Sequence, residues 1–254
     1  MIDLHCHILP DVDDGARDLS ESIKMAQKAV EQGIHTIVAT PHHLNNRYEN
    51  PKQTIIDRVR ELNKVLLEEK IELNVLPGQE TRIYGEMVEG YEAGEILSID
   101  NSQYVLVEFS SSQVPRYAEK LFYDLQMEGL VPVIVHPERN QEIIERPELL
   151  YQLVKKGALS QVTAASICGD FGKKIKSFSL QLIDANLTHF IASDAHNTSN
   201  RTFKMREAYD IVQAKYGNDM VYLFKENAEL VIEGSHVYKE VPERIKKKKF
   251  FNIF

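Results

Sequence analysis

Short apolar runs alternate along the chain with longer segments that have helical periodicity. The runs are rich in Val and Ile and several are apolar on both faces, which is typical of buried parallel strands. They predict strands at residues 2–6, 36–40, 73–77, 104–109, 131–136, 160–164 and 189–193. The segments between them predict helices at residues 19–32, 52–69, 116–128, 147–156, 171–185 and 202–215.

This alternation of strands and helices indicates right-handed βαβ units around a mostly parallel sheet. The number of repeats favours a closed α/β barrel over an open doubly wound sheet, and 254 residues is an ordinary length for such a barrel. No Gly-rich phosphate-binding turn follows an early strand, which weakens a nucleotide-binding function. We predict one domain over residues 1–243, followed by a basic and aromatic tail over residues 244–254.

Composition restricts the class of protein further. The chain is 43% hydrophobic and 27% charged, as expected of a globular protein with a large core. A formal net charge of -8 argues against nucleic acid as a partner, because phosphate backbones select basic surfaces. No apolar run approaches the ~20 residues of a membrane span, and no signal peptide is evident. The two cysteines, Cys6 and Cys168, suit a reducing compartment, so we expect a cytoplasmic protein.

Metal-competent side chains stand where most of the apolar runs end. In a parallel barrel these carboxyl ends gather on one face, where active sites are built. Two pairs have the i, i+2 spacing that points both side chains of a strand to the same side. The residues are His5 and His7, His42, Glu80, Glu108, His136, and Asp194 with His196.

A mixed set of imidazoles and carboxylates suits manganese, iron or zinc and disfavours a pure calcium site. There are more ligands than one ion needs, so we predict two or three divalent ions, manganese first, with iron, zinc or magnesium as alternatives. Such clusters activate water for attack on phosphorus and neutralise the charge that develops. Arg139 and Arg201 follow two of the ligand strands and are predicted to bind phosphoryl oxygens through their guanidinium groups.

Several short motifs resemble those of the polymerase-and-histidinol-phosphatase (PHP) superfamily. They are His5-Cys6-His7, Asp11-Val12-Asp13-Asp14-Gly15, Thr40-Pro41-His42, Gly78-Gln79-Glu80, Glu108, His136-Pro137-Glu138-Arg139 and Ser193-Asp194-Ala195-His196. The similarity extends along essentially the whole chain. The second and sixth of these motifs resemble the bacterial tyrosine-protein phosphatases associated with capsule and exopolysaccharide loci.

The resemblance implies a distorted (β/α)7 barrel of PHP type with a trinuclear metal site. By matching position, His5, His7, Glu80 and Asp194 would hold the first ion. Glu80 would bridge to the second, which Glu108 and His136 complete. Asp14, His42 and His196 would hold the third, although Asp11 and Asp13 in the same turn are alternatives to Asp14.

The implied function is hydrolysis of phosphotyrosine on protein substrates, above all on a bacterial tyrosine kinase and its targets. Neither cysteine begins the C-x5-R loop of cysteine-dependent tyrosine phosphatases. Three alternatives remain at this point. They are a histidinol-phosphate or other small-molecule phosphoesterase, a non-catalytic metal-binding module, and a nuclease, which the acidic composition disfavours.

Overall fold

A computed structural model describes residues 1–245 and shows parallel strands that alternate with helices. The strands are β1 (Ile2–Cys6), β2 (Thr36–Ala39), β3 (His42–His43), β4 (Asn74–Pro77), β5 (Glu80–Arg82), β6 (Tyr104–Glu108), β7 (Val131–Val135), β8 (Leu159–Thr163) and β9 (Phe190–Ala192). The helices are α1 (Leu19–Glu31), α2 (Lys52–Glu68), α3 (Met87–Glu92), α4 (Ala118–Met127), α5 (Gln141–Glu145), α6 (Glu148–Lys155), α7 (Ala164–Cys168), α8 (Lys173–Asp184), α9 (Met205–Tyr216) and α10 (Asn218–Ile232).

The nine strands occupy seven positions around one axis. They form two parallel sheets, β1-β2-β4 and β3-β5-β6-β7-β8-β9. Because β3 continues the path of β2, and β5 that of β4, the two sheets share two positions. Between β9 and β1 there is no ladder, only an isolated parallel bridge that joins Cys6 to Ala195. The predicted parallel α/β barrel is confirmed in this distorted form.

The two interruptions carry the chain toward the site. Pro41 separates β2 from β3 and has no N–H for a ladder, while Gly78 separates β4 from β5. A Cβ on Gly78 would lie only 2.5 Å from Val38 Cγ1, so the close approach of these two strands requires glycine. Beyond the interruptions, His42 on β3 pairs in register with Glu80 on β5.

An inner apolar cluster fills the space enclosed by the strands. Strands β1, β2, β6, β7, β8 and β9 all contribute to it, and Tyr104 and Phe190 are its largest side chains. Helix α10 packs against β1 and β9 and adds Ala228 and Val231. A second, larger apolar cluster lies between the strands and the outer helices. The sequence pattern did not predict α10, nor the short elements β3, β5, α3, α5 and α7.

The predicted strands are present to within one residue at either end, and the predicted helices to within three. The predicted C-terminal tail lies mostly outside the described residues, since only Arg244 and Ile245 belong to both. Arg244 pairs with Glu148 at 2.9 Å, and Ile245 packs against the outer apolar cluster. No helix in residues 1–245 is both long enough and apolar enough to cross a membrane.

Candidate metal centre

Strands β1, β5 and β9 bring two imidazoles and two carboxylates together in the buried centre of the carboxyl-end face. His5 Nε2 lies 3.2 Å from His7 Nε2. Glu80 Oε2 lies 3.5 Å from the first of these nitrogens and 3.4 Å from the second. Asp194 Oδ1 lies 3.5 and 3.3 Å from the same two atoms. The two acidic oxygens thus face the same pair of nitrogens, a geometry suited to one shared cation.

Glu80 also faces a second group of ligands. Its Oε1 lies 2.7 Å from His136 Nε2, and its Oε2 lies 2.8 Å from His42 Nδ1. Glu108 Oε2 is 3.7 Å from the same nitrogen of His42, and it pairs with Arg82 at 3.1 Å. One carboxylate therefore stands between two clusters, as a bridging ligand does.

The aspartate-rich turn after β1 supplies a third group. Asp14 Oδ1 lies 3.4 Å from His42 Nε2 and 3.4 Å from His196 Nε2. Of the two alternatives in this turn, Asp11 is exposed and Asp13 faces a different atom. Of the three aspartates in this turn, Asp14 is therefore the one whose carboxylate faces both His42 and His196.

Asp13 supports the ligands from behind. Its Oδ2 accepts a hydrogen bond at 2.7 Å from Nδ1 of His7, and another at 3.1 Å from the backbone N–H of His42. Gln161 Oε1 lies 2.9 Å from Nδ1 of His5 in the same way. Partners of this kind fix the orientation of a ligating imidazole and leave Nε2 free for the ion. The sequence showed Asp13 only as an alternative ligand and gave no sign of Gln161.

Unpaired buried atoms test whether these residues fit metal ions. Within residues 1–245, six imidazole or carboxylate atoms are buried without a hydrogen bond, and four of them belong to the cluster, where they make at most ion-pair contacts: His42 Nδ1, His196 Nε2, Glu80 Oε2 and Glu108 Oε2. Such atoms are costly to bury unless something binds them. Three overlapping groups each have their ligand atoms within 4.8 Å of one another: His7, Asp14, His42 and His196; His5, His7 and Glu80; His42, Glu80 and Glu108. The donor set fits divalent metal ions.

The charges in the cluster are strongly coupled. Burial opposes protonation of His42, but the carboxylates of Glu80 and Asp14 outweigh it and raise its pKa to about 10. Burial and the charge of Glu80 raise the pKa of Glu108 to about 7. Burial and the neighbouring Arg139 lower the pKa of His136 to about 4. Metal ligation requires neutral imidazoles and ionised carboxylates, so we expect metal binding to expel protons from His42 and Glu108.

Two ligand-type residues adopt an unusual backbone conformation. His136 and Asp194 follow the ends of β7 and β9 with φ of 37° and 52°. Non-glycine residues rarely adopt this left-handed region, and such strain is concentrated at functional sites. Each conformation turns a side chain from the end of a strand into the cluster.

Both predicted arginines lie at the mouth of the cluster. Arg139 Nη2 pairs with Asp194 Oδ2 at 2.6 Å, and its buried Nε has no hydrogen-bond partner within residues 1–245. Arg201 reaches the same Asp194 oxygen at 3.4 Å and Asp14 at 3.5 Å. The two guanidinium groups line a cavity of about 330 Å³ together with His42, Glu108, His136 and Asp194.

Among residues 1–245, several other histidines and both cysteines do not belong to the three ligand groups. His43 is buried and its Nδ1 accepts a hydrogen bond from Asn50 N. The structure also places His35, His189 and His236 outside the three ligand groups. Burial raises the pKa of the Cys6 thiol well above its usual range and that of Cys168 to about 11.

The sequence of this chain matches a known family along most of its length. The family model described as "Capsular polysaccharide synthesis, CpsB/CapC" covers residues 1–233. The chain belongs to the CpsB/CapC family. The resemblance to capsule-associated PHP phosphatases seen in the sequence is thereby confirmed at the family level.

Relatives in this family are similar over their full length. The tyrosine-protein phosphatase YwqE of Bacillus subtilis is 51% identical over 254 residues, which is all of both chains. The putative tyrosine-protein phosphatase CapC of Staphylococcus aureus is 41% identical, again over all of both chains. The crystal structure of YwqE, described as a unique metal-dependent tyrosine phosphatase, superposes with a TM-score of 0.95 over 97% of this chain and 100% of that one. The Escherichia coli phosphotriesterase homology protein, 12% identical with a TM-score of 0.54 over 91% of this chain and 98% of that one, shares the fold alone.

Proposed function

We propose that this CpsB/CapC chain is a metal-dependent protein-tyrosine phosphatase. The main support for this proposal is that a buried His/Asp/Glu cluster and two arginines lie around one cavity of about 330 Å³. Relatives named as tyrosine-protein phosphatases at 51% and 41% identity support the same activity. A non-catalytic module is disfavoured because no predicted ligand position holds a residue that is unable to ligate.

The proposed ligand sets follow the resemblance to the PHP superfamily, and in space His42 lies between the second and third sets, 2.8 Å from Glu80 and 3.4 Å from Asp14. His5, His7, Glu80 and Asp194 would hold one ion; Glu80, Glu108 and His136 a second; and Asp14, His42 and His196 a third. When bound, such ions supply an activated water and neutralise charge on the phosphoryl group. We infer manganese as the first choice for this donor set, with iron, zinc or magnesium as alternatives.

The protein's own groups would bind and orient the phosphoryl group. Arg139 has an unpaired Nε beside the cavity, and Arg201 contributes a second guanidinium on the same side. Because Asp194 also forms an ion pair with each of these arginines, both guanidinium groups are oriented before the substrate binds. Pre-oriented donors are worth more in the transition state than mobile ones, since no reorganisation is needed during reaction.

A cysteine nucleophile does not fit this site. The Cys6 thiol is fully buried and interacts with the Ala195 carbonyl oxygen, at 3.5 Å from Sγ. Its raised pKa keeps the thiol protonated, whereas thiol catalysis requires the thiolate. The chemistry therefore falls to the metal cluster, with tyrosinate as the leaving group and no phosphocysteine intermediate.

The cellular role follows from the family and its relatives. We propose a cytoplasmic enzyme whose substrates are phosphotyrosine proteins, in particular a bacterial tyrosine kinase and its targets, in control of capsule or exopolysaccharide synthesis. Both described cysteines are free, which is in keeping with a reducing compartment.

Comparing two substrates separates this activity from that of a small-molecule phosphoesterase. We expect the manganese-loaded protein to hydrolyse a phosphotyrosine peptide with a higher kcat/KM than histidinol phosphate, measured by phosphate release under identical conditions. A preference for histidinol phosphate would overturn the proposal in favour of the alternative phosphoesterase.

Substitution of Asp13 tests the support behind the ligands. We expect Asp13→Asn to weaken manganese binding about 10- to 100-fold, because the amide no longer accepts the His7 Nδ1–H bond with a full negative charge. Isothermal titration of the metal-stripped variant measures the affinity directly. Asp11→Asn, in the same turn but exposed, is the matched control. Equal affinity in the two variants would show that Asp13 does not position His7.

A further inference from the structure

The segment that follows β3 lies next to His42, which lines the active-site cavity, and we call Arg47 and Tyr48 of this segment the rim. Tyr48 lies parallel to the His42 ring, with an angle of 7° between the ring planes and 6.3 Å between their centroids. The guanidinium carbon of Arg47 lies 4.9 Å from the Tyr48 ring centroid. An arginine stacked on an aromatic ring therefore stands one side chain away from a residue that lines the cavity.

Hydrogen bonds within the segment fix this rim in place. Asn45 Oδ1 accepts bonds from the backbone N–H groups of Arg47 at 3.1 Å and Tyr48 at 2.9 Å. Asn50 Nδ2 donates to the carbonyl oxygens of His42 at 2.8 Å and Val12 at 3.0 Å. The rim is thus attached both to the ligand strand and to the aspartate-rich turn. A preformed surface of this kind avoids the entropy cost of ordering on binding.

Arg47 differs from the other arginines near the mouth. Arg139 and Arg201 pair with Asp194, and Arg82 pairs with Glu108. Within residues 1–245, the exposed guanidinium of Arg47 makes no ion pair and no side-chain hydrogen bond. It borders a shallow depression of about 280 Å³ lined by Leu44, Asn46, Arg47, Tyr48 and Glu49. This cation is available to a bound partner.

We propose that Arg47 and Tyr48 bind the polypeptide beside the phosphotyrosine and select substrates with an acidic residue there. This inference rests on the proposed phosphatase function and specifies its substrate class. An extended chain advances at most about 3.6 Å per residue, so the immediate neighbours of a phosphotyrosine seated in the cavity reach its rim. A planar guanidinium recognises a carboxylate through paired hydrogen bonds, and Tyr48 holds that plane in position.

The negative net charge of the protein makes a positive charge at the rim important for binding an acidic substrate. With a formal net charge of -8, the protein as a whole repels an acidic phosphopeptide. Complementary charges at the rim of an interface act chiefly on association and on the choice of partner. Arg47 provides that complementarity locally, whereas turnover at the cluster does not depend on it.

The test compares two phosphotyrosine peptides that differ only in the flanking residues, glutamate in one and glutamine in the other. We expect wild-type protein to favour the acidic peptide in kcat/KM, through KM. Arg47→Glu should lower the acidic-to-neutral ratio about fivefold or more, and Arg47→Lys, which keeps the charge but loses the planar fork, should retain part of it. Arg60→Glu, an exposed charge reversal on α2, should leave the ratio unchanged.

Three outcomes would contradict the proposal. The first is a wild-type enzyme that hydrolyses both peptides equally well. The second is an acidic preference that persists in Arg47→Glu, and the third is an equal loss on both peptides, which indicates a structural defect. These outcomes differ from a failure of the proposed phosphatase function, because in that case the wild-type protein would hydrolyse neither phosphotyrosine peptide.

Discussion

Replacing Glu80 by glutamine is expected to abolish turnover while leaving the protein folded. The Glu80 carboxylate is fully buried and lies within 3.5 Å of nitrogen atoms of four imidazoles. A neutral amide of the same shape cannot bridge two cations, so the variant should lose at least one ion. Loss of a supporting contact behind a ligand costs roughly 10- to 100-fold in activity, and loss of a bridging ligand should exceed that range.

Kinetics and a thermal melt of the same Glu80→Gln sample distinguish lost chemistry from lost structure. The protein should melt cooperatively, because the substituted side chain keeps its volume and the imidazoles can shed their protons when the carboxylate charge is gone. Glu92→Gln, an exposed change on α3, is the matched control and should retain wild-type kcat. Retention of wild-type activity by Glu80→Gln would mean that the reactive centre lies elsewhere.

Removal of metal should have a comparably large effect. We expect a strong chelator to abolish phosphotyrosine hydrolysis and manganese to restore it, because no thiol in the cluster offers an alternative nucleophile. Rebinding should also release protons near neutral pH, since the carboxylates of Glu80 and Asp14 raise the pKa of His42 to about 10, and burial and Glu80 raise the pKa of Glu108 to about 7. Titrations in buffers of different ionisation enthalpy measure that release.

Most of the cluster was predictable from sequence for a geometric reason. In parallel strands around one axis, the carboxyl ends meet at one face, so His136 and Asp194 line the same cavity although β7 and β9 are distant in sequence. The same rule applies to His5 and His7 on β1. Knowing where the strands end was therefore enough to predict most of the side chains that lie together in the cluster.

Loop conformation was the part that the pattern did not reveal. Three aspartates share the turn after β1, and alternation along a strand says nothing about which way a turn directs each one. Only the structure shows Asp14 facing His42 and Asp13 facing His7. The rim formed by Arg47 and Tyr48 is likewise set by the turn at Asn45, which has no periodic signature.

Helix α10 was missed because it departs from the alternation of strands and helices. It follows α9 with no strand between them, and it packs against β1 and β9 instead of connecting two strands. The interruptions at Pro41 and Gly78 were missed for a related reason. Each divides one strand position into two short strands, and a two- or three-residue strand such as β3 or β5 is too short for a hydrophobic period.

We propose above all that several divalent ions held by this cluster drive phosphotyrosine hydrolysis. The most direct test of this proposal measures bound manganese per chain and the rate of phosphotyrosine-peptide hydrolysis in the same samples, as metal is added back to stripped protein. We expect no turnover in the metal-free protein and a rise in rate only after more than one ion is bound per chain. Full activity in protein shown to be free of metal would contradict the proposal.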